Sequence, residues 1–165
     1  MKKLTLLIFL LSINVTFCQE KWTNFENATY AIEYPESWTF DDSGQMQTTF
    51  FINSPLTEDD TFKENINLII QNLKGQNINM KDYVELTQKQ TKGMLDDGKI
   101  LESNGDDKQH VMVLTGKVSG NALKFKQVLI FHQEVMYILT FSALEKSYDD
   151  YIKTGNTILN SFKLK

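Results

Sequence analysis

The chain has 165 residues, a formal net charge of −4 at pH 7, and charged and hydrophobic fractions of 23% and 41%. These values are typical of one globular domain and exclude a disordered or fibrous chain. All 17 basic residues are Lys. The acidic balance and the lack of Arg argue against binding to nucleic acid, which needs a positive surface and favours the guanidinium group.

The start of the chain has the pattern of a secretory signal peptide, which we place at residues 1–18. Two lysines precede the apolar run 4–11, which is too short to span a bilayer. Thr16 and Cys18 supply the small residues of a cleavage site. We therefore expect export to the periplasm or the medium, with cleavage before Gln19. The alternative is a lipoprotein anchored through Cys18, although the residue before that cysteine is bulky.

Cleavage would leave a single domain, residues 19–165, without any cysteine, because Cys18 is the only one in the chain. Disulfide bonds and thiol catalysis would then be excluded. Loss of two lysines and no acids leaves 15 basic and 21 acidic residues, a formal charge of −6. No other segment is long and apolar enough for a transmembrane helix, so we expect no span in the mature chain.

The first predicted strand is Tyr30–Tyr34, which follows a polar lead-in at residues 19–27. Aromatic and aliphatic residues alternate along this strand, and Pro35 ends it because Pro lacks an amide hydrogen. Trp38 then begins a predicted return strand. The large aromatic side chains of this turn have two interpretations: they form an exposed binding site, or they plug one end of the core.

Two further strands, residues 46–53 and 65–73, flank a polar, acidic loop at residues 54–64. Acidic oxygens in such a loop could hold a calcium ion, but the spacing of a dedicated calcium loop is lacking. Because function concentrates on loops held by a rigid scaffold, we expect this end of the molecule to contact a partner. The predicted contact residues are Tyr34, Trp38, Glu58, Asp59 and Asp60.

Two helices are predicted, each with a recognisable start. Asn79 is an N-cap for the first helix, which runs to Leu95, and Asp82 completes a near capping box. Ser147 and Asp150 form the S-x-x-D capping box of the last helix. The apolar stripe of the first helix comprises Met80, Tyr83, Val84, Thr87, Met94 and Leu95. That of the last comprises Tyr148, Tyr151, Ile152, Ile158, Leu159 and Phe162.

Between the helices, residues 109–119, 122–132 and 135–141 are predicted to form three consecutive strands rich in β-branched and aromatic residues. Gly120-Asn121 and Gln133-Glu134 are the predicted turns. Two-residue turns would pair Ser119 with Ala122, and His132 with Val135.

This register divides the apolar residues of the three strands between two faces of a sheet. One face would carry Met112, Leu114, Val118, Leu123, Phe125, Leu129, Phe131, Met136 and Ile138. The other would carry Val111, Val113, Val128, Ile130, Val135, Tyr137, Leu139 and Phe141. A sheet that is apolar on both faces must be covered on both. We therefore predict an α+β fold, an α/β/α sandwich around a mostly antiparallel sheet of about seven strands.

No catalytic, metal-binding or cofactor-binding pattern is visible in the sequence. Nucleophile elbows, zinc-protease helices and phosphate-binding glycine loops are all lacking. His110 and His132 fall on opposite faces of the predicted sheet, so they cannot chelate one metal ion. The paired aspartates lie in turns or at helix ends, where Asp is favoured for backbone reasons. We therefore expect no catalytic residue, no metal ligand and no cofactor.

The order of elements resembles the family that includes PsbP of photosystem II, the nuclear-transport factor Mog1 and the bacterial envelope protein DcrB. The matching pieces are the Tyr30–Trp38 segment with its YPxxW pattern, the Asn79–Leu95 helix, the strand ending in Tyr137–Phe141, and a terminal helix closing on Ser161-Phe162. The resemblance implies an α/β/α sandwich. It also implies a non-enzymatic binding or assembly factor, since most members are such factors.

The sequence thus favours an exported, non-catalytic accessory protein with a PsbP-like domain and an envelope or secreted protein as partner. One alternative is a small-ligand or metal-binding carrier. Another is a carboxylate-based hydrolase, whose site would leave little trace in sequence. A deep cavity with convergent polar groups would favour a carrier or enzyme, and a shallow patch of exposed aromatic residues would favour an assembly factor.

Overall fold

The computed structural model describes residues 20–56 and 62–165. In that part of the chain the strands are β1 Trp22–Glu26, β2 Tyr30–Pro35, β3 Thr39–Asp41, β4 Phe50–Asn53, β5 Asn65–Asn72, β6 Asp96–Gly105, β7 Gln109–Val118, β8 Asn121–His132, β9 Val135–Leu144 and β10 Lys163–Leu164. The helices are α1 Met80–Met94 and α2 Tyr148–Ser161. Neither of these helices has the length and apolarity needed to cross a membrane. The predicted signal peptide and Glu58, Asp59 and Asp60 lie outside the described residues.

Seven strands form one sheet in the order β3-β4-β5-β9-β8-β7-β6, and three form a smaller sheet in the order β1-β2-β10. All strand pairs in both sheets are antiparallel. The α+β class and the seven-stranded sheet are therefore confirmed. The small sheet is an addition that the sequence did not indicate.

The chain leaves the small sheet at Pro35 instead of returning along it. Both edges of β2 are occupied. β1 pairs along one edge, and on the other β10 pairs with Tyr30 and Ala31 while the Ser161 hydroxyl of α2 bonds to the amide and carbonyl groups of Glu33. Thr39 of β3 pairs with Asn53 of β4 in the large sheet. The strand predicted over residues 46–53 is also shorter than expected, because a 3₁₀ turn at Gln45–Gln47 contains positive φ values that a strand does not allow.

The three-stranded meander is confirmed with one correction to its register. The first turn is Ser119-Gly120, so Val118 pairs with Asn121, and the predicted pairing of Ser119 with Ala122 is wrong by two residues. Both turn residues have positive φ, 51° and 83°, as a type I′ hairpin requires. The pairing across the second turn is as predicted. Because an even shift preserves the alternation of side chains, every residue stays on its predicted face.

The two faces of the large sheet are covered by different elements, as an apolar sheet requires. On one side α2 and the small sheet pack against the closed face, whose buried residues include Phe50, Ile52, Ile66, Leu68, Val128, Tyr137, Leu139 and Phe141. On the other side α1 packs against the open face, whose buried apolar residues include Met112, Leu114, Leu129, Met136 and Ile138.

The two helices begin in different ways. Asn79 Oδ1 accepts a hydrogen bond from the amide of Asp82 at 3.0 Å, so the predicted N-cap of α1 is confirmed. The capping box predicted for α2 is not formed. Ser147 has helical φ and ψ, −108° and −1°, instead of the extended values of a capping residue, and its side chain makes no cap bond. Its hydroxyl donates instead to Oε1 of the buried Glu64, at 2.7 Å.

Candidate functional site

The aromatic residues predicted to contact a partner are packed into the protein. Trp38 is 6% exposed, and its ring meets that of Tyr151 edge-on, with 6.4 Å between centroids. Tyr34 is half-buried and stacks on Phe40 at 5.6 Å. These positions leave Trp38 little exposed surface for a partner, and they favour the interpretation that the two rings plug the core. Contact through the acidic run of the 54–64 loop stays a prediction.

A cleft lies between the C-terminal half of α1 and the open face of the large sheet. It consists of two cavities of about 210 and 230 Å³, which share Thr91, Met94 and Gln127 in their walls. The other lining residues are Asn67, Leu95, Leu114, Phe125, Thr140 and Ser142 in one cavity and Ile69, Gln71, Tyr83, Thr87, Gln90, Leu129 and Ile138 in the other. None of these described lining residues carries a charge.

The floor of the cleft is polar at a level of the sheet where an apolar core is expected. Thr140 on β9 pairs with Asn67 on β5 and with Gln127 on β8, so these three side chains form a row across one face. In the next row Ser142 pairs with Phe125. On the closed face, the residues adjacent to this polar row are the buried, apolar Ile66, Leu68, Val128, Leu139 and Phe141, and Lys126, whose ammonium group donates to Asn156 Oδ1 of α2 at 2.7 Å.

Gln127 is the residue whose hydrogen bonding is incomplete. Its Nε2 donates to Thr140 Oγ1 at 3.3 Å, while its Oε1 is buried and has no hydrogen-bond partner among the described residues. If the carboxamide were turned over, an N–H₂ group would occupy the unpaired position instead. A buried polar atom left unpaired costs about 1–3 kcal/mol. A hydrogen-bonding group beyond the described residues, such as water or a ligand, would complete this site.

The roof of the cleft comes from one face of α1. Tyr83, Thr87, Gln90, Thr91 and Met94 recur at helical spacing, so they line the same side of the helix. The Tyr83 hydroxyl donates to Gln71 Oε1 at 2.6 Å, and burial raises the pKa of this phenol, which keeps it protonated as a donor. The apolar stripe predicted for α1 is therefore confirmed at its start, whereas Met94 at its end is 79% exposed at the rim of the cleft.

A second polar cluster joins α1 to β6 and β7. Gln88 Nε2 donates to Ser103 Oγ at 2.8 Å, and Ser103 Oγ lies 2.8 Å from His110 Nε2. A serine–histidine hydrogen bond is the first requirement of a serine nucleophile. His110 lines a cavity of about 300 Å³ with Gly105 and Asp107, but Ser103 is not among the lining residues. The serine is thus positioned to tie the helix to the sheet.

Metal binding finds no support in the described part of the chain. No group of three or more His, Asp or Glu side chains there could hold an ion. His110 pairs with Leu129, whose side chain is on the open face, and His132 pairs with Val135, which packs on the closed face. The predicted pairing of Ser119 with Ala122 would place His110 opposite Phe131. The two-residue register shift places it opposite Leu129 instead.

A surface depression of about 400 Å³ is a weaker candidate than the cleft. The residues that line it are Ala122, Leu144, Glu145 and Lys146, at the turn that leads into α2. It lacks the row of convergent uncharged polar groups that the cleft has. The cleft is therefore the best-formed candidate site in residues 20–56 and 62–165.

Sequence analysis did not identify the cleft, although a signal was present. Thr140 interrupts an apolar run, Asn67 lies between Ile66 and Leu68, and Gln127 lies between Lys126 and Val128. Each of these polar residues alone has no special meaning. The predicted register of β8 and β9 already placed Gln127 opposite Thr140, and their coincidence at one level of the sheet was the available clue.

No family model matches the chain, and no curated protein matches its sequence. Several solved structures have the same fold. Cyanobacterial PsbP from Synechocystis sp. PCC 6803 is 13% identical with a TM-score of 0.64, and the match covers 91% of this chain and 96% of that one. The protein PA94 from Pseudomonas aeruginosa, of unknown function, is 12% identical with a TM-score of 0.60, covering 85% and 94%.

A third structure is LpqN, described as involved in cell envelope biogenesis of Mycobacterium tuberculosis. It is 15% identical to this chain, with a TM-score of 0.55 and coverage of 88% of this chain and 91% of LpqN. At such low identity these matches establish the fold alone. The protein therefore has the PsbP-like fold that the order of its sequence elements predicted.

Proposed function

We propose that the protein is an exported, non-catalytic accessory protein of the cell envelope that binds a small molecule in the cleft beneath α1. The observation that carries this proposal is the uncharged polar floor of the cleft, with the unpaired Gln127 Oε1 at its centre. Buried polar groups that converge on a cavity are typical of binding sites, whereas a helix packed for stability alone buries apolar residues.

The cleft also favours one of the two kinds of accessory protein that the sequence left open. An assembly factor would be expected to present a patch of exposed aromatic side chains, but Tyr34 and Trp38 pack inward. A carrier needs an enclosed site with a few placed polar groups. The geometry therefore supports a ligand-holding protein, and the envelope role of LpqN, a protein of the same fold, is compatible with that function.

The test is to recover the protein from its native envelope and to measure bound small molecules by native mass spectrometry. Thr91→Phe would fill the cleft, because Thr91 lines both cavities. Lys89→Phe introduces the same ring at an exposed position of α1 outside the cleft and is the matched control. We expect a bound mass in the wild type and the control and none in Thr91→Phe. Retention of the mass by Thr91→Phe, or its absence from all three proteins, would contradict the proposal.

Export has a separate test. The intact mass of protein recovered from the native cell should correspond to a chain that begins at Gln19. A mass that includes Cys18 with acyl chains would identify a lipoprotein, and an unprocessed mass would contradict export.

Partner contact through the acidic run of the 54–64 loop is part of the same proposal. Replacing Glu58, Asp59 and Asp60 by Lys should weaken cross-linking to envelope proteins and leave the denaturation midpoint nearly unchanged, because exposed substitutions usually change stability by less than about 0.5 kcal/mol. Undiminished cross-linking would remove this loop as a contact surface.

A serine hydrolase is the second candidate function, because Ser103 Oγ lies within hydrogen-bond distance of His110 Nε2. Gln88 already donates to the same oxygen, and Ser103 is not among the residues that line the adjacent cavity, so we expect no nucleophile here. A fluorophosphonate probe should not label the purified protein. Labelling that disappears in Ser103→Ala would establish the hydrolase instead.

A further inference from the structure

We infer that the cleft selects an uncharged ligand, one that donates a hydrogen bond to Gln127 and places an apolar edge against the end of α1. The inference rests on the proposed function and adds the chemical class of the ligand. It follows from three properties of the lining residues: their lack of charge, the single unpaired acceptor, and the position of the apolar side chains.

The first property is the lack of charge. The polar part of the lining consists of two kinds of group. The amides belong to Asn67, Gln71, Gln90 and Gln127, and the hydroxyl groups belong to Tyr, Thr and Ser side chains. No described lining residue could neutralise a carboxylate, a phosphate or an ammonium group. Placing an unpaired charge in a partly buried site is far more costly than placing a neutral polar group there. Charged ligands are therefore disfavoured whatever their sign.

The second property is the need for a donor. Thr140 occupies the Nε2 end of the Gln127 carboxamide, and the Oε1 end has no protein partner within the described chain. An O–H or N–H group on the ligand would satisfy this oxygen, whereas a ligand with acceptors only would leave it unpaired. If the carboxamide were reversed, the preference would change to ligands with acceptors, and the probes below distinguish the two orientations.

The third property is the position of the apolar residues. Met94, Leu95, Leu114 and Phe125 lie together in the cavity of about 210 Å³, beside the row of polar groups. Met94 is largely exposed and flexible enough to fold over a ligand. Each cavity has about the volume of seven water molecules. The ligand portion held here is thus small, with one hydrogen-bonding end and one apolar end.

Four hexyl compounds of nearly equal size test the inference. Hexanamide has a donor and no charge, and methyl hexanoate has acceptors only. Hexanoate and hexylammonium carry opposite charges. Each would be titrated into the purified, folded protein and followed by NMR through the side-chain amides of Gln127 and Asn67 and the methyl group of Met94. These groups all line the cleft.

We expect hexanamide to bind in the millimolar range, as suits a fragment of this size. Methyl hexanoate should bind roughly tenfold more weakly, and the two charged compounds weaker still, by at least about tenfold relative to hexanamide. In Gln127→Leu the preference for the amide over the ester should disappear. Gln109→Leu, at an exposed position of β7, is the matched control and should retain it.

The possible outcomes separate this inference from the proposed function. Equal binding of hexanamide and either charged compound would overturn the inference while the cleft remained a binding site. Binding of the ester as tight as that of the amide would overturn the donor requirement and indicate the reversed carboxamide, because both compounds carry a carbonyl acceptor and only the amide carries a donor. If no probe shifts the cleft resonances, water is the partner of Gln127 and the inference fails. The proposed function itself is tested separately, and it fails if the native protein carries no bound mass or if Thr91→Phe retains that mass.

Discussion

The closed and open faces of the large sheet come from the same strands but differ in what they bury. On the closed face, aliphatic and aromatic side chains fill most of the space under α2 and the small sheet, and the ammonium group of Lys126 on this face is paired with Asn156 Oδ1 of α2 at 2.7 Å. On the open face, the buried part of α1 lies near its start, around Met80, Tyr83 and Val84, whereas Leu95 after its end and Phe125 of the sheet pack against this core only partly buried. From Thr87 onwards the helix faces uncharged polar groups across the cleft.

The buried polar residues of the two faces show the same contrast. Glu64 is fully buried at the end of the closed face, and its carboxylate accepts hydrogen bonds from the Ser147 hydroxyl at 2.7 Å and from the Ser54 hydroxyl at 3.5 Å. Gln127 on the open face retains an unpaired oxygen. Natural proteins satisfy local rules except where function requires otherwise. The closed face thus satisfies its buried carboxylate, whereas the open face leaves a buried oxygen unpaired, which agrees with the binding site proposed above.

The largest expected effect comes from removing one phenylalanine on each face. Phe141 is fully buried on the closed face, and Phe141→Ala should lower the free energy of unfolding by about 3–5 kcal/mol because it leaves a cavity. Phe125 lines the cleft and is half-buried, so Phe125→Ala should cost only about 1–2 kcal/mol. Urea denaturation measures both. Equal losses would mean that the two faces are packed equally well.

The next effect concerns Glu64. Glu64→Ala should cost about 2–4 kcal/mol, because it leaves both a cavity and an unpaired Ser147 hydroxyl at the start of α2. Glu64→Gln keeps an acceptor of the same shape and should cost less than about 1 kcal/mol. Thermal unfolding followed by circular dichroism compares the two variants. A Gln variant as unstable as the Ala variant would show that the negative charge itself is needed.

Replacing a glycine by alanine should change the stability of the protein in opposite directions in the two helices. A Cβ on Gly155 of α2 would lie 3.0 Å from Phe141 Cδ2, so Gly155→Ala should cost about 1–3 kcal/mol through overpacking. A Cβ on Gly93 of α1 would meet no atom within 4 Å. Gly93→Ala should therefore stabilise the protein by up to about 1 kcal/mol, since Ala is the better helix former. Denaturation midpoints that move in the same direction would contradict this difference between the helices.

The smallest expected effect is a dependence of stability on alkaline pH. Burial, with smaller contributions from Glu102 and Asp149, raises the pKa of Tyr148 from 10.0 to about 12. Between these values the unfolded chain releases the proton and the folded chain holds it. The contribution to stability is thus fully present below pH 10 and is lost as the pH rises towards 12.

Lysines titrate in the same pH range, so the measurement is the difference between wild type and Tyr148→Phe. Across this range the wild type should lose about 1 kcal/mol more stability than the Phe variant, after allowance for solvent screening. Tyr83→Phe on the open face should give a smaller difference, although burial raises the pKa of Tyr83 too. Identical pH profiles for the wild type and Tyr148→Phe would show that the raised pKa of Tyr148 does not cause the loss of stability at alkaline pH.

Local sequence patterns were sufficient to predict where α1 starts and on which face of the sheet each residue of the meander lies. Asn79 caps its helix through a bond to an amide only three residues away, which a sequence can indicate. The error at Ser119-Gly120 changed the pairing of β7 and β8 without changing their faces, because strand side chains alternate with a period of two. These features depend on neighbours in the chain, so tertiary contacts did not alter them.

Features that depend on distant neighbours could not be predicted in the same way. Ser147 matches a capping box, but the carboxylate of Glu64, 83 residues earlier, takes its hydroxyl. The sequence left open whether Trp38 is exposed or plugs the core, and the contact with Tyr151 of α2 is what buries it. In both cases the side chain contacts a partner from another element instead of its neighbours in the chain, because a contact made in the buried interior is stronger.

Sequence alone is thus enough to establish the α+β class, the two apolar faces and the helix positions, since periodicity and capping are local physical signals. The small sheet, the division into a closed and an open face, and the cleft arise only when the chain is folded. The polar row of Asn67, Gln127 and Thr140 joins residues 13 to 73 positions apart. A site of this kind exists only after strand pairing has placed three unremarkable side chains side by side.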